Sequence, residues 1–193
     1  MLRLGILISG SGSNFQAVID AVESERLKAK IVKVIADRPA AGLDRAEKHN
    51  IPHLLINRRE HRNDLSDLIN EELEDRVDMI VLAGFLSILS NDFISAWDRK
   101  IINIHPSLLP DFGGRGMYGI HVHEAVLAAG RTESGCTVHF VDQGIDTGEI
   151  ILQRRVPVLK NDTPETLQQR VLKEEHPLLV EALCQISLNY GKD

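Results

Sequence analysis

The order of apolar segments along the chain restricts its fold more than any other feature. Strand-length apolar runs alternate with segments of helical periodicity, beginning with residues 2–8 and a helix predicted over 15–28. Residues 78–84 (DMIVLAG) are apolar after the first position, which is typical of a strand buried on both faces of a parallel sheet. The alternation predicts an α/β domain with an open, mainly parallel twisted sheet and helices on both faces.

The same alternation continues to the end of the chain, with a long loop in between. We predict strands at residues 31–36, 53–56, 100–104, 136–141 and 149–158, and helices at 42–50, 60–76, 90–97 and 122–129. Residues 106–120 are rich in Pro and Gly and predict a loop, and the last two strands are expected to form an antiparallel edge. Thr163-Pro164 is typical of a helix N-terminus, and this helix should run to about residue 175, where Pro177 kinks or restarts it.

Composition excludes several classes of protein. Lys and Arg number 22 and Asp and Glu 28, so the formal net charge is −6, which gives no general attraction to nucleic acid. No apolar run approaches the roughly 18 residues that span a membrane. The two cysteines provide neither a disulfide framework nor zinc-ligand spacing, which favours a reducing cytoplasm. We therefore expect one domain over residues 1–193 that binds neither nucleic acid nor a membrane.

A loop of small residues directly follows the first predicted strand. Residues 9–14 are Ser-Gly-Ser-Gly-Ser-Asn and lead into the first predicted helix. Small residues let the backbone approach an anion, and a helix N-terminus offers unpaired N–H groups and a positive dipole end. Phe15 replaces the third glycine of a dinucleotide fingerprint, and the Gly-Lys-Ser/Thr of a P-loop is absent. The loop predicts a phosphomonoester site; the alternative is a tight turn capped by Ser or Asn.

The predicted strand 100–104 leads into a second polar motif, Asn103-Ile104-His105. Side chains alternate along a strand, so Asn103 and His105 are expected on one face and Ile104 on the other. An amide N–H can donate to a developing oxyanion, and an imidazole can transfer a proton near neutral pH. The pair suits acyl transfer; the alternative is a polar strand end held by hydrogen bonds.

A third motif, DQGIDTG at residues 142–148, separates the last two predicted strands. Gly144 and Gly148 permit tight backbone geometry, and Asp142 and Asp146 can face the same cleft. The alternative is a hairpin turn with solvated aspartates.

Two other chemistries find less support in the sequence. His121, His123 and Glu124 resemble a metal cluster, but no further ligand follows at a suitable spacing, so no metal site is predicted. The chain contains no Gly-x-Ser-x-Gly, which excludes the α/β-hydrolase mechanism.

Taken together, five segments resemble the phosphoribosylglycinamide formyltransferases, a group within the 10-formyltetrahydrofolate-dependent transferases. They are residues 8–14 (ISGSGSN), 81–90 (VLAGFLSILS), 102–110 (INIHPSLLP), 135–153 (GCTVHFVDQGIDTGEIILQ) and 173–176 (KEEH). The likeness extends in order over essentially the whole chain. NIHPSLLP and the Gly-x-Asp-x-Gly turn are typical of the wider family. The segment ISGSGSN narrows the resemblance to the glycinamide-type members of that family.

The resemblance implies a Rossmann-like formyltransferase fold and transfer of a formyl group from the co-substrate 10-formyltetrahydrofolate to the amine of phosphoribosylglycinamide, in purine biosynthesis. It implies a phosphate-binding half at about residues 1–100 and a folate-binding, catalytic half at about 101–193. The catalytic positions fall on Asn103, His105 and Asp146, where Asp146 would hold and favour protonated His105. The substrate positions fall on Gly12, Ser13, Asn14 and Glu175.

The folate-binding positions of the family fall on Arg62, Leu86, Ser87, Ile88, Leu89, Asn103, Asp142, Gln143, Gly144, Ile145 and Asp146. The resemblance also favours a cis peptide bond at Leu109-Pro110.

Two features depart from the family pattern. Many relatives have Arg where this chain has Ser87, and the stretch 112–120 is several residues longer than the common form, which offers Arg115 and His121 to the folate side.

Two rival functions remain open from the sequence. The first is a formyltetrahydrofolate deformylase, which uses water in place of the amine; those enzymes have longer chains with an added N-terminal domain. The second is a non-catalytic nucleotide-binding α/β module. The sequence leaves the choice between monomer and homodimer open.

Overall fold

The computed structural model describes residues 1–190 of the chain. Its strands are β1 (Leu2–Ile8), β2 (Ala29–Ala36), β3 (His53–Leu55), β4 (Met79–Leu82), β5 (Ile101–His105), β6 (Glu133–Phe140) and β7 (Ile150–Pro157). Its helices are α1 (Ser13–Glu23), α2 (Gly42–Lys48), α3 (Leu65–Leu73), α4 (Asn91–Ala96), α5 (Ile120–Ala128) and α6 (Pro164–Asn189).

All seven strands form one sheet in the order β3-β2-β1-β4-β5-β6-β7. The pairs from β3 to β5 are parallel, and β6 pairs antiparallel with both β5 and β7. The predicted α/β class and its antiparallel C-terminal edge are therefore confirmed. The strand order reverses between β1 and β4, and in such sheets ligands bind outside the carboxyl ends of the strands at the reversal.

The core lies on both faces of the sheet, as the continuous apolar strands predict. In β1, Leu4 and Ile6 pack into one cluster with α1 and α6, while Leu7 points to the other cluster, which contains α3 and α4. Every residue of β1 except Arg3 is buried. The central strands are thus covered on both sides, and only their ends are free to carry polar chemistry.

Predicted helix boundaries differ from the observed ones where turns replace the expected helical hydrogen bonds. The first helix ends at Glu23 instead of residue 28, because the Leu27 N–H donates back to the carbonyl of Ala21 over 2.8 Å and Glu25 has a positive φ of 59°. Residues 57–64 form turns before α3, so that helix begins at Leu65 and not at residue 60. The predicted helix N-terminus at Thr163-Pro164 is confirmed, and Ser90 caps α4 by accepting from the Phe93 N–H.

The expected restart of the helix at Pro177 is wrong, because α6 continues through it from Pro164 to Asn189, while the alternative of a kink there stays a prediction. A proline removes one helical hydrogen bond and disfavours the preceding turn. Leu178, Leu179 and Leu183 directly after it are buried in the core, so tertiary packing maintains the helix. Among the helices of residues 1–190, none combines the length and the apolar character that crossing a bilayer requires.

Candidate active site

A cavity of about 710 Å³ opens at the carboxyl ends of β1, β4 and β5. Its walls come from the loops after these strands, from the turn between β6 and β7 and from α6. Cavities of this size are typical of small-molecule sites. The cavity brings together every site residue expected from the sequence except Arg62, which is exposed in the turns before α3. Residues from both halves of the chain contribute to it.

The glycine loop, residues 10–14, forms one end of the cavity. Gly12 precedes α1 with φ of 70°, and a Cβ there would lie 2.9 Å from the Cα of Gly42. No side chain caps α1, so the alternative of a turn capped by Ser or Asn is not observed. Arg45 holds the loop from outside, donating from Nε to the Ser11 carbonyl over 2.8 Å. The loop thus presents the first N–H groups of α1 to the cavity.

A buried carboxylate lies on α6 behind this loop. The Asn14 amide donates from Nδ2 to Oε2 of Glu175 over 2.7 Å, and both side chains are buried. Burial raises the pKa of Glu175, and the hydrogen bond from Asn14 only partly offsets this effect. Among residues 1–190, the Oδ1 atom of Asn14 has no hydrogen-bond partner. The Asn14 side chain is therefore directed to α6, which leaves its backbone N–H for an anion.

His105 and Asp146 meet at the other end of the cavity. His105 Nδ1 lies 3.6 Å from Asp146 Oδ2, and its Nε2 donates to the carbonyl of Phe112 over 2.9 Å. Asp146 also accepts from the backbone N–H of Gly114 over 3.0 Å. Asp146 thus contacts both the His105 imidazole and the Gly114 backbone, and the two side chains line the same cavity.

Asn103 lies beside a histidine that the sequence motifs do not single out. The sheet register places Asn103 opposite His139 of β6. His139 donates from Nδ1 to the carbonyl of Phe140 over 2.8 Å, so its Nε2 is the acceptor for Asn103 Nδ2 at 3.1 Å. Burial lowers the pKa of His139, with smaller opposing effects from Phe140 and Asp146. Neutral His139 thus fixes the orientation of the Asn103 amide. Only the β5–β6 register reveals this contact.

A second buried histidine, His123 of α5, also lines the cavity. Burial lowers its pKa to about 4, with a further contribution from the nearby His105. Its Nδ1 has no hydrogen-bond partner in the part of the chain that the structure describes. Within the described residues 1–190, no group of three His, Cys, Asp or Glu side chains is arranged to hold a metal ion.

The two aspartates of the turn between β6 and β7 make different contacts. Asp142 accepts from the Gly144 N–H over 3.0 Å and from the Thr147 hydroxyl over 2.7 Å, so it stabilises the turn itself. Asp146 instead faces His105. Gly148 permits the tight geometry, because a Cβ there would lie 1.8 Å from the carbonyl oxygen of Phe140.

The expected folate side of the cavity is unusually apolar for an exposed surface. Leu86, Ile88 and Ile145 are 43%, 74% and 42% exposed, and all three line it. Exposed apolar clusters of this kind mark ligand grooves. The long loop also contributes, through residues 114–119 that include Arg115, while His121 does not line the cavity. The Leu109-Pro110 bond is cis, which confirms that prediction.

Comparison with known proteins decides the family. The profile of the formyl transferase family matches residues 2–183. The chain belongs to this family. Its fold also matches a glycinamide ribonucleotide transformylase from Symbiobacterium toebii with a TM-score of 0.92, 39% identity, and coverage of 98% of this chain and 89% of the other.

Curated formyl transferase relatives are longer than this chain. A trifunctional purine biosynthetic protein adenosine-3 from Bos taurus is 48% identical over 94% of this chain, which spans 18% of the relative. A chloroplastic phosphoribosylglycinamide formyltransferase from Vigna unguiculata is 42% identical over 99% of this chain, which spans 64% of the relative. A formyltetrahydrofolate deformylase from Pseudomonas syringae pv. tomato shares the fold, with a TM-score of 0.88, at 22% identity; the match covers 98% of this chain and 62% of the other.

Proposed function

We propose that this formyl transferase moves the formyl group of 10-formyltetrahydrofolate to the amine of phosphoribosylglycinamide, giving the N-formyl product and tetrahydrofolate in purine biosynthesis. The names of the relatives above support this substrate pair. One observation carries the proposal: the glycine loop and the cluster Asn103, His105 and Asp146 line the same cavity. A phosphate site and an acyl-transfer centre in one pocket suit a phosphorylated amine that receives an acyl group.

The substrate phosphate is assigned to the glycine loop. The backbone N–H groups of Gly12, Ser13 and Asn14 lie at the positive end of the α1 dipole, which favours an anion. The Asn14 side chain is committed to Glu175, so the contact at Asn14 is assigned to its backbone N–H. Glu175 is proposed to accept a hydrogen bond from the glycinamide or ribose part of the substrate.

The folate is assigned to the segments 86–89 and 142–146. Their exposed apolar side chains, Leu86, Ile88 and Ile145, offer surface that a planar ring can cover. Arg62 lies outside the lining, so its contact with the folate stays a prediction. Since the 86–89 segment belongs to the N-terminal half and Glu175 to the C-terminal half, the proposed division at about residue 100 separates the substrates only in part.

Asn103 is assigned to stabilise the oxyanion. When the amine nitrogen attacks the formyl carbon, a new C–N bond forms and the carbonyl electron pair moves to oxygen. One N–H of the Asn103 amide donates to His139, and the other is left to donate to this oxygen. A donor held in place before the reaction stabilises the charge as it develops.

His105 and Asp146 are assigned to the proton. As the bond between the formyl carbon and the folate N10 breaks, the attacking amine loses one proton and N10 gains one. His105 lines the pocket and is assigned to relay it. In the structure Nε2 donates to the Phe112 carbonyl and Nδ1 faces Asp146, so the relay requires one ring nitrogen to exchange its protein contact for the substrate. Asp146 is assigned to hold the His105 ring through Nδ1 while the imidazole transfers the proton.

The absorbance change on folate deformylation, measured with and without phosphoribosylglycinamide, tests the function. We expect turnover that depends on phosphoribosylglycinamide and yields its N-formyl derivative. Equal turnover in water alone would establish the deformylase instead. No turnover, together with unchanged ligand binding after His105→Ala, would favour a non-catalytic nucleotide-binding module.

The partners and the compartment are further proposals. We propose that the enzyme works in the cytoplasm on these two small molecules, without a metal, nucleic acid or a membrane. Residues 1–193 are proposed to act as one formyltransferase domain. Light scattering after size-exclusion chromatography will distinguish a monomer from a homodimer.

A further inference from the structure

A carboxylate that the proposed reaction does not use lies just behind the pocket wall. Asp37 directly follows β2, and its side chain has no exposed surface. A buried carboxylate is costly unless cations and hydrogen-bond donors compensate its charge. The groups that donate hydrogen bonds to the Asp37 carboxylate therefore show which segments of the chain it holds in place.

Two side chains donate hydrogen bonds to this carboxylate. The Arg38 guanidinium donates from Nε to Oδ1 over 2.9 Å and from Nη2 to Oδ2 over 2.8 Å. The Ser87 hydroxyl donates to Oδ2. Burial by itself would raise the pKa of Asp37, but the opposing contacts, chiefly the hydrogen bonds from Arg38 and Ser87, outweigh it and lower that pKa. Asp37 is thus a fixed anion near neutral pH.

Ser9 and Ser87 belong to different walls of the pocket. Ser9 directly follows β1 and leads into the glycine loop, whereas Ser87 lies within the 86–89 segment. The walls are also joined to each other, because Ser9 Oγ accepts from the Leu86 N–H over 2.8 Å and the Ser9 N–H donates to the Gly84 carbonyl over 3.0 Å. Asp37 links the same two walls, because its backbone N–H donates to the Ile8 carbonyl at the end of β1 over 3.4 Å and its carboxylate accepts from Ser87.

The middle of the 86–89 segment has little packing to hold it. Phe85 and Leu89 on its flanks are buried, while Leu86 and Ile88 are largely exposed. The position of this middle part therefore depends on hydrogen bonds, and those described above run to Ser9 and Asp37.

We propose that Asp37 is a positioning residue that holds the 86–89 segment against the end of β1. It thereby fixes the folate wall of the pocket relative to the glycine loop. The inference rests on the proposed function, since it takes the 86–89 segment as the folate wall. Without the carboxylate, the segment loses its anchor, and folate binding is expected to weaken before the chemistry of bound substrates changes.

A matched control lies at the opposite end of the same strands. Asp78 precedes β4, and its Oδ1 accepts from Nη2 of Arg3 in β1 over 2.7 Å. Its side chain is 10% exposed and does not line the pocket. Asp78→Asn therefore removes a similar carboxylate–guanidinium pair at the opposite end of the sheet, away from both pocket walls.

The test compares Asp37→Asn, Ser87→Ala and Asp78→Asn by steady-state kinetics and thermal unfolding. We expect Asp37→Asn to raise the KM for 10-formyltetrahydrofolate about ten-fold, as the loss of a charge-assisted hydrogen bond implies. The kcat at saturating folate should stay close to that of the parent chain, and the KM for phosphoribosylglycinamide should change less. Asp78→Asn should lower the Tm and leave both KM values unchanged.

An Asp37→Asn variant that loses thermal stability but keeps its folate KM would have lost only structural support, which overturns the proposal. A rise confined to the KM for phosphoribosylglycinamide, or an equal rise in Asp78→Asn, also overturns it. If Asp37→Asn does not fold, Ser87→Ala decides: a few-fold higher folate KM supports the proposal and an unchanged one overturns it.

Failure of the proposed function is distinguishable from failure of this inference. If the parent chain transfers no formyl group, isothermal titration with 10-formyltetrahydrofolate replaces the kinetics. Weaker binding to Asp37→Asn than to Asp78→Asn supports the positioning role, and equal binding to the two variants overturns it.

Discussion

The phosphate end of the pocket is built from main-chain groups, whereas the acyl end is built from side chains. Around residues 10–14, the N–H groups of the first turn of α1 face the cavity, and Gly12 permits the close approach of α2. Around Asn103, His105 and Asp146, each functional atom belongs to a side chain fixed by a hydrogen bond or ion pair.

The difference follows from the sheet. Parallel strands followed by helices present helix N-termini at their carboxyl ends, and these bind anions without specialised side chains. The antiparallel edge places β6 beside β5, so side chains of two strands meet in register, as Asn103 and His139 do. Substrate binding at the phosphate end should therefore be sensitive to added side-chain bulk. Catalysis at the acyl end should be sensitive to the loss of a functional group even where the side chain keeps its shape.

The largest effect is expected from an isosteric change at the acyl end. Asp146→Asn keeps the shape and removes the charge beside His105, so kcat should fall by about 10²–10⁴-fold, the range for losing a positioned acid–base function. Both KM values should change far less. Steady-state kinetics with both substrates measure this difference.

The double variant with His105→Ala controls this prediction. Its kcat should be little lower than that of His105→Ala alone, because the two side chains act as a unit. Asp142→Asn should cost less kcat than Asp146→Asn, since Asp142 holds the turn. If the single losses multiply, or if Asp146→Asn keeps most of its kcat, the acyl end does not depend on this pair.

A change of shape should disrupt the phosphate end. Gly12→Val places a branched side chain against Gly42 in a backbone conformation that favours glycine. The KM for phosphoribosylglycinamide should rise by about ten- to a hundred-fold, the effect of losing a charge-assisted hydrogen bond, and more than the folate KM. Gly10→Ala is the control, because a Cβ there meets nothing within 4 Å. The reverse pattern of KM values would place the phosphate elsewhere.

A smaller loss of kcat at the acyl end is expected from substitution of His139. His139→Phe removes the acceptor that orients the Asn103 amide, so kcat should fall by about ten-fold, equivalent to roughly 1.4 kcal/mol of transition-state stabilisation. His139→Gln offers a side-chain oxygen as acceptor and should retain more activity. Equal kcat values for the two variants would show that the orientation of Asn103 does not depend on position 139.

The last prediction concerns the stability of the fold and its dependence on pH, and near neutral pH its effect on stability is small. Burial lowers the pKa of His123 to about 4 from an ordinary value of 6.5, so below pH 6.5 the unfolded chain binds a proton that the folded chain excludes. Stability should fall as pH decreases from 6.5 to 4, with up to about 3 kcal/mol from this residue at pH 4. Urea unfolding of the parent chain and His123→Gln measures it: the variant should lose less stability over this interval. Parallel pH profiles would contradict the prediction.

Local patterns in the sequence determined the architecture and three motifs of the pocket lining, and the resemblance to the family added the 86–89 segment and Glu175. Apolar runs without polar alternation predict doubly covered strands, and the polar residues placed after strands come together because parallel strands end at the same edge. This reasoning brings Gly12, Asn103 and His105 to one cavity before any coordinates are known. The role assigned to Asp146 came from the resemblance to the family, and the structure then placed it 3.6 Å from His105.

Tertiary structure alone decided the contacts between distant residues. Asn14 and Glu175 are 161 positions apart, and their hydrogen bond depends on how α6 packs across α1. Packing also keeps α6 helical at Pro177, although proline disfavours the interior of a helix. Arg62 lies outside the pocket.

The sequence by itself thus determined which residues lie at the functional edge of the sheet, because alternation and strand direction are local properties. Only the tertiary structure decided which of them touch. The contact of Asn103 with His139 depends on the register of two strands, and that of Asp37 with Ser87 depends on how separate loops meet. Register and loop packing are set by the sum of many weak contacts over the whole core, which a local pattern does not contain.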